Sequence, residues 1–158
     1  MIDLAPRASL YREVMTADLA QLTDLLGDAV QTDPTTCENY RFDWARDPAA
    51  GTPIAVVRAR NAADVQACVR WAAVHGVPVV PRGAGSGLSG GSSAVEGGIV
   101  LSLERMRAVE IDVATRVAVV EPGAFNAEVK AAAAAHGLWY PPDPSSYCLL
   151  YTSPSPRD

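Results

Sequence analysis

Positive charge is what this sequence most lacks. Over 158 residues, 13 Lys and Arg face 18 Asp and Glu, a formal net charge of −5 with no run of five like charges. A phosphate-backbone binder needs the opposite balance, so nucleic acid is not an expected partner. Long apolar runs are missing too. No stretch approaches the roughly 18 residues of a transmembrane helix, and the start lacks the charged-then-apolar pattern of a secretory signal. No transmembrane segment and a cytoplasmic location are therefore expected. Cysteine and histidine are scarce. Cys37, Cys68 and Cys148 are widely spaced with no C-x-x-C, and His75 and His136 are the only histidines. Structural thiols and no metal site follow as expectations. The length suits one ordinary domain with a real core and is too short for most two-domain enzymes.

Near the start, Leu19, Leu22, Leu25, Leu26 and Val30 fall at helical spacings behind Thr16, a candidate N-cap. Residues 1–15 carry no clear period, and Met15 is read as a candidate true start. At the other end PPDPSSY breaks into CLLYTSPSPRD, Cys148 to Asp158, which fits neither strand nor helix. That string resembles the translation of a transposase adapter used in sequencing-library preparation, so residues 148–158 are expected to be a non-native tail.

Between the ends, Pro53 to Ala59 reads as a buried strand. Asn61 then caps a helix with Asp64 in its first turn and Val65, Cys68, Val69 and Ala72 on its inward face. Gly76 ends it, and Val77 to Val80 is the next strand, completing a β-α-β unit. Ile99 to Leu103 is a further strand. AVEIDV and RVAVVE form a hairpin around Ala114 and Thr115. A second helix runs from a cap at Asn126 to His136 and Gly137, followed by a strand LWY and the extended PPDP. This order favours an α+β domain whose loops after strands face one ligand.

The chemistry lies in Pro81 to Gly98, PRGAGSGLSGGSSAVEGG, which holds seven of the twelve glycines and sits between two predicted strands. Glycine there signals backbone conformations closed to other residues or close approach to a ligand. Successive N–H groups in such a loop form a concavity for an anion such as pyrophosphate. Gly85, Gly87 and Gly90 spell G-x-G-x-x-G, but Gly90 and Gly91 lead into Ser92, Ser93, Gly97 and Gly98 and cannot open a helix. Glu110, at the acidic spacing, falls in the hairpin, and no Lys precedes a Ser or Thr. Rossmann-type NAD binding and a P-loop are both disfavoured.

PVVPRGAGSGLSGGSS, then VVEPG, then PPDPSS together resemble the FAD-binding domain of the FAD-linked oxidase family of vanillyl-alcohol oxidase and p-cresol methylhydroxylase type. Within it the likeness is greatest to the FAD-linked subunit of glycolate oxidase and to D-lactate and D-2-hydroxy-acid dehydrogenases. The resemblance extends from about the N-terminal helix to Tyr147. It implies an α+β fold, incomplete here, with residues 16–50 as N-terminal helix and connecting segment and 51–147 as the first part of the FAD-binding domain. It also implies that the backbone of Arg82, Gly83, Ala84, Gly85, Ser86, Gly87, Leu88, Ser89 and Gly90 cradles the FAD pyrophosphate. Pro141, Pro144 and Ser145 would line the flavin side, with Pro122 and Gly123 as supporting turn residues. Where some relatives carry a histidine bonded to the flavin, this chain has Ser86, so FAD is expected to be noncovalent.

As a full-length enzyme the resemblance implies hydride transfer from a small 2-hydroxy acid, glycolate or D-lactate, to flavin, and it leaves open an iron-sulfur partner subunit. The segments expected after PPDPSS, including the substrate domain, are absent from these residues, and the chain alone is expected to be inactive. Other flavin oxidases of the family, acting on sugar lactones, alditols or phenols, and a non-enzymatic FAD or nucleotide-binding module are the alternatives. No residue here is a candidate catalytic base. His75 and His136 suit helix ends. Asp43 and Asp47 suit either polar positions near the flavin domain's surface or a solvated turn. Arg82 suits either charge toward the phosphates or a solvent-facing turn residue. Trp44, Trp71 and Trp139 are expected in core or interface.

Overall fold

The computed structural model describes residues 19–142. Thr16, Met15, Cys148 and the segment from Asp143, with Pro144 and Ser145, lie outside them. The described residues open with helix α1 over residues 19–26, followed by a single 3-10 turn, Gly27–Ala29, and a short strand β1, Val30–Gln31. Helix α2, Pro34–Asn39, begins at the N-cap Asp33, whose side chain accepts from the Thr36 N–H at 2.9 Å, with Pro34 opening the first turn. Strand β2, Ala55–Arg58, leads through helix α3, Ala62–His75, to β3, Val79–Arg82, and the glycine segment leads on to β4, Ile99–Ser102. The hairpin β5, Val109–Asp112, and β6, Val117–Val120, precedes helix α4, Asn126–Ala135.

The first four strands form one sheet in the order β1-β2-β4-β3, with β1 antiparallel and the rest parallel. The β-α-β unit read from the sequence is present, with β4 inserted between its two strands. Strands β2 and β4 are buried on both faces, which is why they read as continuous apolar runs. One face packs Ala55, Val57, Ile99 and Leu101 against Leu22 and Leu26 of α1 and Cys68, Trp71 and Ala72 of α3. The other buries Val56 and Val100 against Cys37 of α2, Tyr40 and Ala94. Pro81 is tolerated because β3 is an edge strand.

Asn61 caps α3 as expected, accepting from the Asp64 N–H at 3.0 Å, and Gly76 ends it at φ 65°. The inward face is corrected by one position: Trp71 is buried and Val69 is 46% exposed, because the helix leans Cys68, Trp71 and Ala72 onto the sheet. Leu25 likewise faces solvent while Leu22 and Leu26 pack inward. The strand expected at Val77 to Val80 lies two residues later, so Arg82 closes β3 instead of opening the loop. In α4 the N-cap is Phe125, not Asn126; Asn126 is buried, and Glu128 supplies the cap by accepting from the Phe125 N–H at 2.7 Å. LWY forms no strand, and Trp139 is exposed there, as is Trp44; of the three tryptophans only Trp71 is core.

Both described cysteines are buried free thiols. Burial pushes the Cys68 thiol up to about 11, so almost none of it is thiolate near neutrality. Iodoacetamide at about pH 8 is expected to leave Cys68 unlabelled in the native protein and to label it in urea, as peptide masses would show.

Asp64 is a buried carboxylate with a defined task. It accepts from the Arg60 N–H at 2.9 Å and from Arg60 Nε at 2.8 Å. The Arg60 side-chain bond, opposed in part by burial, holds its carboxyl below the ordinary aspartate value. A depressed folded-state pKa stabilises the fold above the unfolded value and loses that contribution as pH falls through the folded one. Asp64→Asn is expected to cost about 1–3 kcal/mol at neutral pH, with the gap to wild type closing below about pH 4 in urea titrations.

Candidate functional site

The parallel strands β2, β4 and β3 end in register at Arg58, Ser102 and Arg82. Ligands of open parallel sheets collect outside such carboxyl ends, and the glycine loop starts there, directly after Arg82. Its backbone needs glycine: Gly85 has φ 68° and Gly90 φ 75°. At Gly85 a Cβ would also stand 2.1 Å from Arg82 Nη2, so the half-buried arginine side chain runs beneath the loop.

Arg82 is not a solvent-facing turn residue. Its Nη1 donates to the carbonyls of Phe42 at 2.9 Å and Ser92 at 3.3 Å, and its guanidinium lies 5.5 Å from the Tyr40 ring centre. Burial pulls it below the usual arginine range, yet a guanidinium remains charged at neutral pH. The side chain therefore ties the loop's exit to the segment after α2. Beside it Tyr40 Oη donates to Glu104 Oε1 at 2.6 Å, and Arg58 Nε donates to the same oxygen. Burial, then the Glu104 contact, pushes the Tyr40 hydroxyl up.

Asp43 is corrected as well. It is 3% exposed, not a solvated turn. Its Oδ1 accepts from the Ala45 N–H and the Ser93 hydroxyl, both at 3.0 Å, and its Oδ2 accepts from the Ser92 N–H at 3.4 Å. Asp47 is the turn residue, exposed and accepting from the Ala49 N–H at 2.8 Å.

The loop carbonyls are drawn to the same segment: the Trp44 N–H donates to Gly85 O at 3.1 Å and the Ala45 N–H to Gly87 O at 3.2 Å. Among the described residues, the N–H groups of residues 83–91 find no acceptor. Gly83, Ala84, Gly87, Leu88 and Ser89 are exposed and Ser86 and Gly90 half-buried. The loop thus offers a run of amide donors, with the carbonyls of Gly85, Gly87 and Gly90 occupied by other N–H groups, an arrangement suited to anions. Its far end is clamped, since the Gly51 N–H donates to Ala94 O at 2.8 Å and the Thr52 N–H to Glu96 Oε2 at 2.8 Å.

Pro122 is exposed, and Gly123 packs where a Cβ would meet Leu103 O at 2.1 Å, its N–H donating to Met106 O at 2.8 Å. That turn leans on the segment leaving β4. Pro141 is exposed at the limit of the described residues. His75 Nδ1 lies 2.7 Å from Trp71 O and its ring stacks on Trp71, while His136 is the exposed C-cap of α4. Among the described residues, no three His, Cys, Asp or Glu side chains could hold a metal ion, and no helix is long and apolar enough to cross a membrane. Tyr40 lies in the same polar string YRFDWARDP as Asp43, whereas Arg58 and Glu104 carry no local sequence signal for this cluster.

Residues 53–150 match the family model described as FAD binding domain. A D-lactate dehydrogenase of Archaeoglobus fulgidus is 38% identical over 126 residues, covering 78% of this chain and 28% of that protein. The glycolate oxidase subunit GlcD of Bacillus subtilis is 41% identical over 108 residues, 68% of this chain and 23% of its own length. Among solved structures, 4-ethylphenol oxidase from Gulosibacter chungangensis superposes with TM-score 0.69 at 30% identity, over 79% of this chain and 25% of that one. The chain spans about a quarter of the length of the curated relatives it matches.

Proposed function

The chain belongs to the FAD binding domain family and carries part of a vanillyl-alcohol-oxidase-type fold, and from that premise we propose that its glycine loop holds the pyrophosphate of FAD in an enzyme that oxidises a small 2-hydroxy acid. The family is one of FAD-linked oxidoreductases, and FAD is its cofactor. The residues present fit that group: among the described residues a run of amide donors without acceptors, left-handed Gly85 and Gly90 that no other residue replaces cheaply, and open space where a Cβ would stand at Gly83 and Gly90. Charge-assisted hydrogen bonds contribute roughly 1.5–3 kcal/mol each, so a few amides anchor the dianion without lysine.

FAD, when bound, supplies the two-electron acceptor for the hydride leaving the carbon that bears the hydroxyl. This chain's task is to bind and orient it. The backbone of residues 82–90 is the proposed pyrophosphate cradle, with Pro141 on the flavin side and Pro122 and Gly123 as supporting turn residues; Pro144 and Ser145, which the resemblance also puts on the flavin side, lie outside the described residues. Ser86 offers no imidazole to the flavin, which favours noncovalent binding. No histidine or acid of the chain is assigned as the base.

The substrate class rests on one observation, that both sequence relatives are named for 2-hydroxy acids, lactate and glycolate. The 4-ethylphenol oxidase likeness keeps phenols as the second reading. Anaerobic mixing of the flavin-loaded full-length enzyme with glycolate, D-lactate, a sugar lactone, an alditol and a phenol separates them. The expected result is bleaching of the oxidised flavin band by a 2-hydroxy acid; bleaching by a phenol or sugar alone overturns the assignment.

A further inference from the structure

We infer that Asp43 is a positioning residue for the cofactor, its buried carboxylate setting the direction in which the glycine loop presents its amides. The inference deepens the FAD reading and rests on it. Asp43 sits at the centre of a clasp. Its two oxygens take the Ala45 N–H, the Ser93 hydroxyl and the Ser92 N–H, and its own N–H donates to Ser93 Oγ at 3.3 Å. The turn so formed sends the Trp44 and Ala45 N–H groups to the carbonyls of Gly85 and Gly87. One side chain therefore governs the middle of the loop through residues 44–45 and its exit through residues 92–93. Gly87 lies directly over it: a Cβ there would stand 3.4 Å from Asp43 Oδ2. With the Gly85 and Gly87 carbonyls held by the turn at Asp43, the amides of this part of the loop are left for a ligand.

The charge itself works against this role. A buried carboxylate below a pyrophosphate site repels the ligand, partly offset by the nearby Arg82 guanidinium. The two contributions have opposite signs on substitution. In Asp43→Asn the repulsion vanishes, but the new NH2 meets a donor whichever way the amide turns, the Ser92 N–H in place of Oδ2 or the Ala45 N–H in place of Oδ1, and that side of the clasp opens. Were charge the main effect, FAD would bind more tightly; with the hydrogen bonds dominant, it binds more weakly.

The test is fluorescence titration of deflavinated full chain with FAD, beside urea midpoints, for wild type, Asp43→Asn, Ser93→Ala and Asp64→Asn. The last alters a comparably buried carboxylate away from the loop and controls for stability alone. Asp43→Asn is expected to weaken FAD at least tenfold and Ser93→Ala about threefold, with Asp64→Asn unchanged. Saturating FAD should return the visible spectrum of Asp43→Asn to that of wild type. Unchanged or tighter binding in Asp43→Asn overturns the inference, as does an equal loss in Asp64→Asn. Should Asp43→Asn not fold, Ser93→Ala decides by the same comparison. Wild type that takes up no FAD instead refutes the cofactor reading itself.

Discussion

Gly85→Ala is expected to lower FAD affinity about 100-fold or more while leaving the chain folded. Two costs coincide at this position. The backbone holds φ 68°, where an L side chain costs roughly 1–2 kcal/mol. The added Cβ would also stand 2.1 Å from Arg82 Nη2. A guanidinium free in solvent would simply move. This one is tied to Phe42 O and Ser92 O, so the loop must shift instead and its amide directions change. Losing two amide contacts at roughly 1.5–3 kcal/mol each gives at least two powers of ten. Equilibrium dialysis of the deflavinated variant against FAD measures it. Binding within threefold of wild type would remove the loop from the cofactor site.

Gly51→Ala is expected to have the largest effect on stability, about 3 kcal/mol or more, at the upper end of overpacking penalties. A Cβ there would meet Glu96 N at 1.9 Å and Val95 C at 2.5 Å. Both are backbone atoms held by the Gly51–Ala94 and Thr52–Gly97 hydrogen bonds, so neither side can yield by a rotamer change. Because residues 94–97 are the far end of the glycine segment, the same change should loosen FAD binding as the fold weakens. Urea midpoints with and without FAD read both effects; an unchanged midpoint would mean that the 51–52 turn does not pack on the loop.

What could be read in advance was what the chain states locally. Val56, Val57, Val100 and Leu101 announce parallel strands buried on both faces, Asn61 and Gly76 mark the ends of α3, and the glycine density marks the loop. Contacts between distant segments left no local trace. Asp43 meets Ser93 across fifty positions and Tyr40 meets Glu104 across sixty-four. A buried aspartate serving as a loop clasp is spelled like a solvated turn. The tether made by the Arg82 side chain left no local trace for the same reason, since its carbonyl partners lie forty residues away at Phe42 and ten at Ser92. The choice between Val69 and Trp71 as the inward residue of α3 was a question of helix rotation, which two overlapping apolar stripes cannot settle; packing against Ile99 and Leu101 does. LWY looked like a strand on composition alone, and no neighbouring strand pairs with it among the described residues.

The claim that this loop holds FAD noncovalently through its pyrophosphate is tested most directly by acid precipitation of the purified full-length protein and chromatography of the supernatant. The account predicts a yellow protein that releases FAD, close to one per chain, and leaves a colourless pellet. Flavin retained in the pellet would contradict noncovalent binding. FMN in the supernatant, or no flavin even after incubation with FAD, would contradict the pyrophosphate cradle itself.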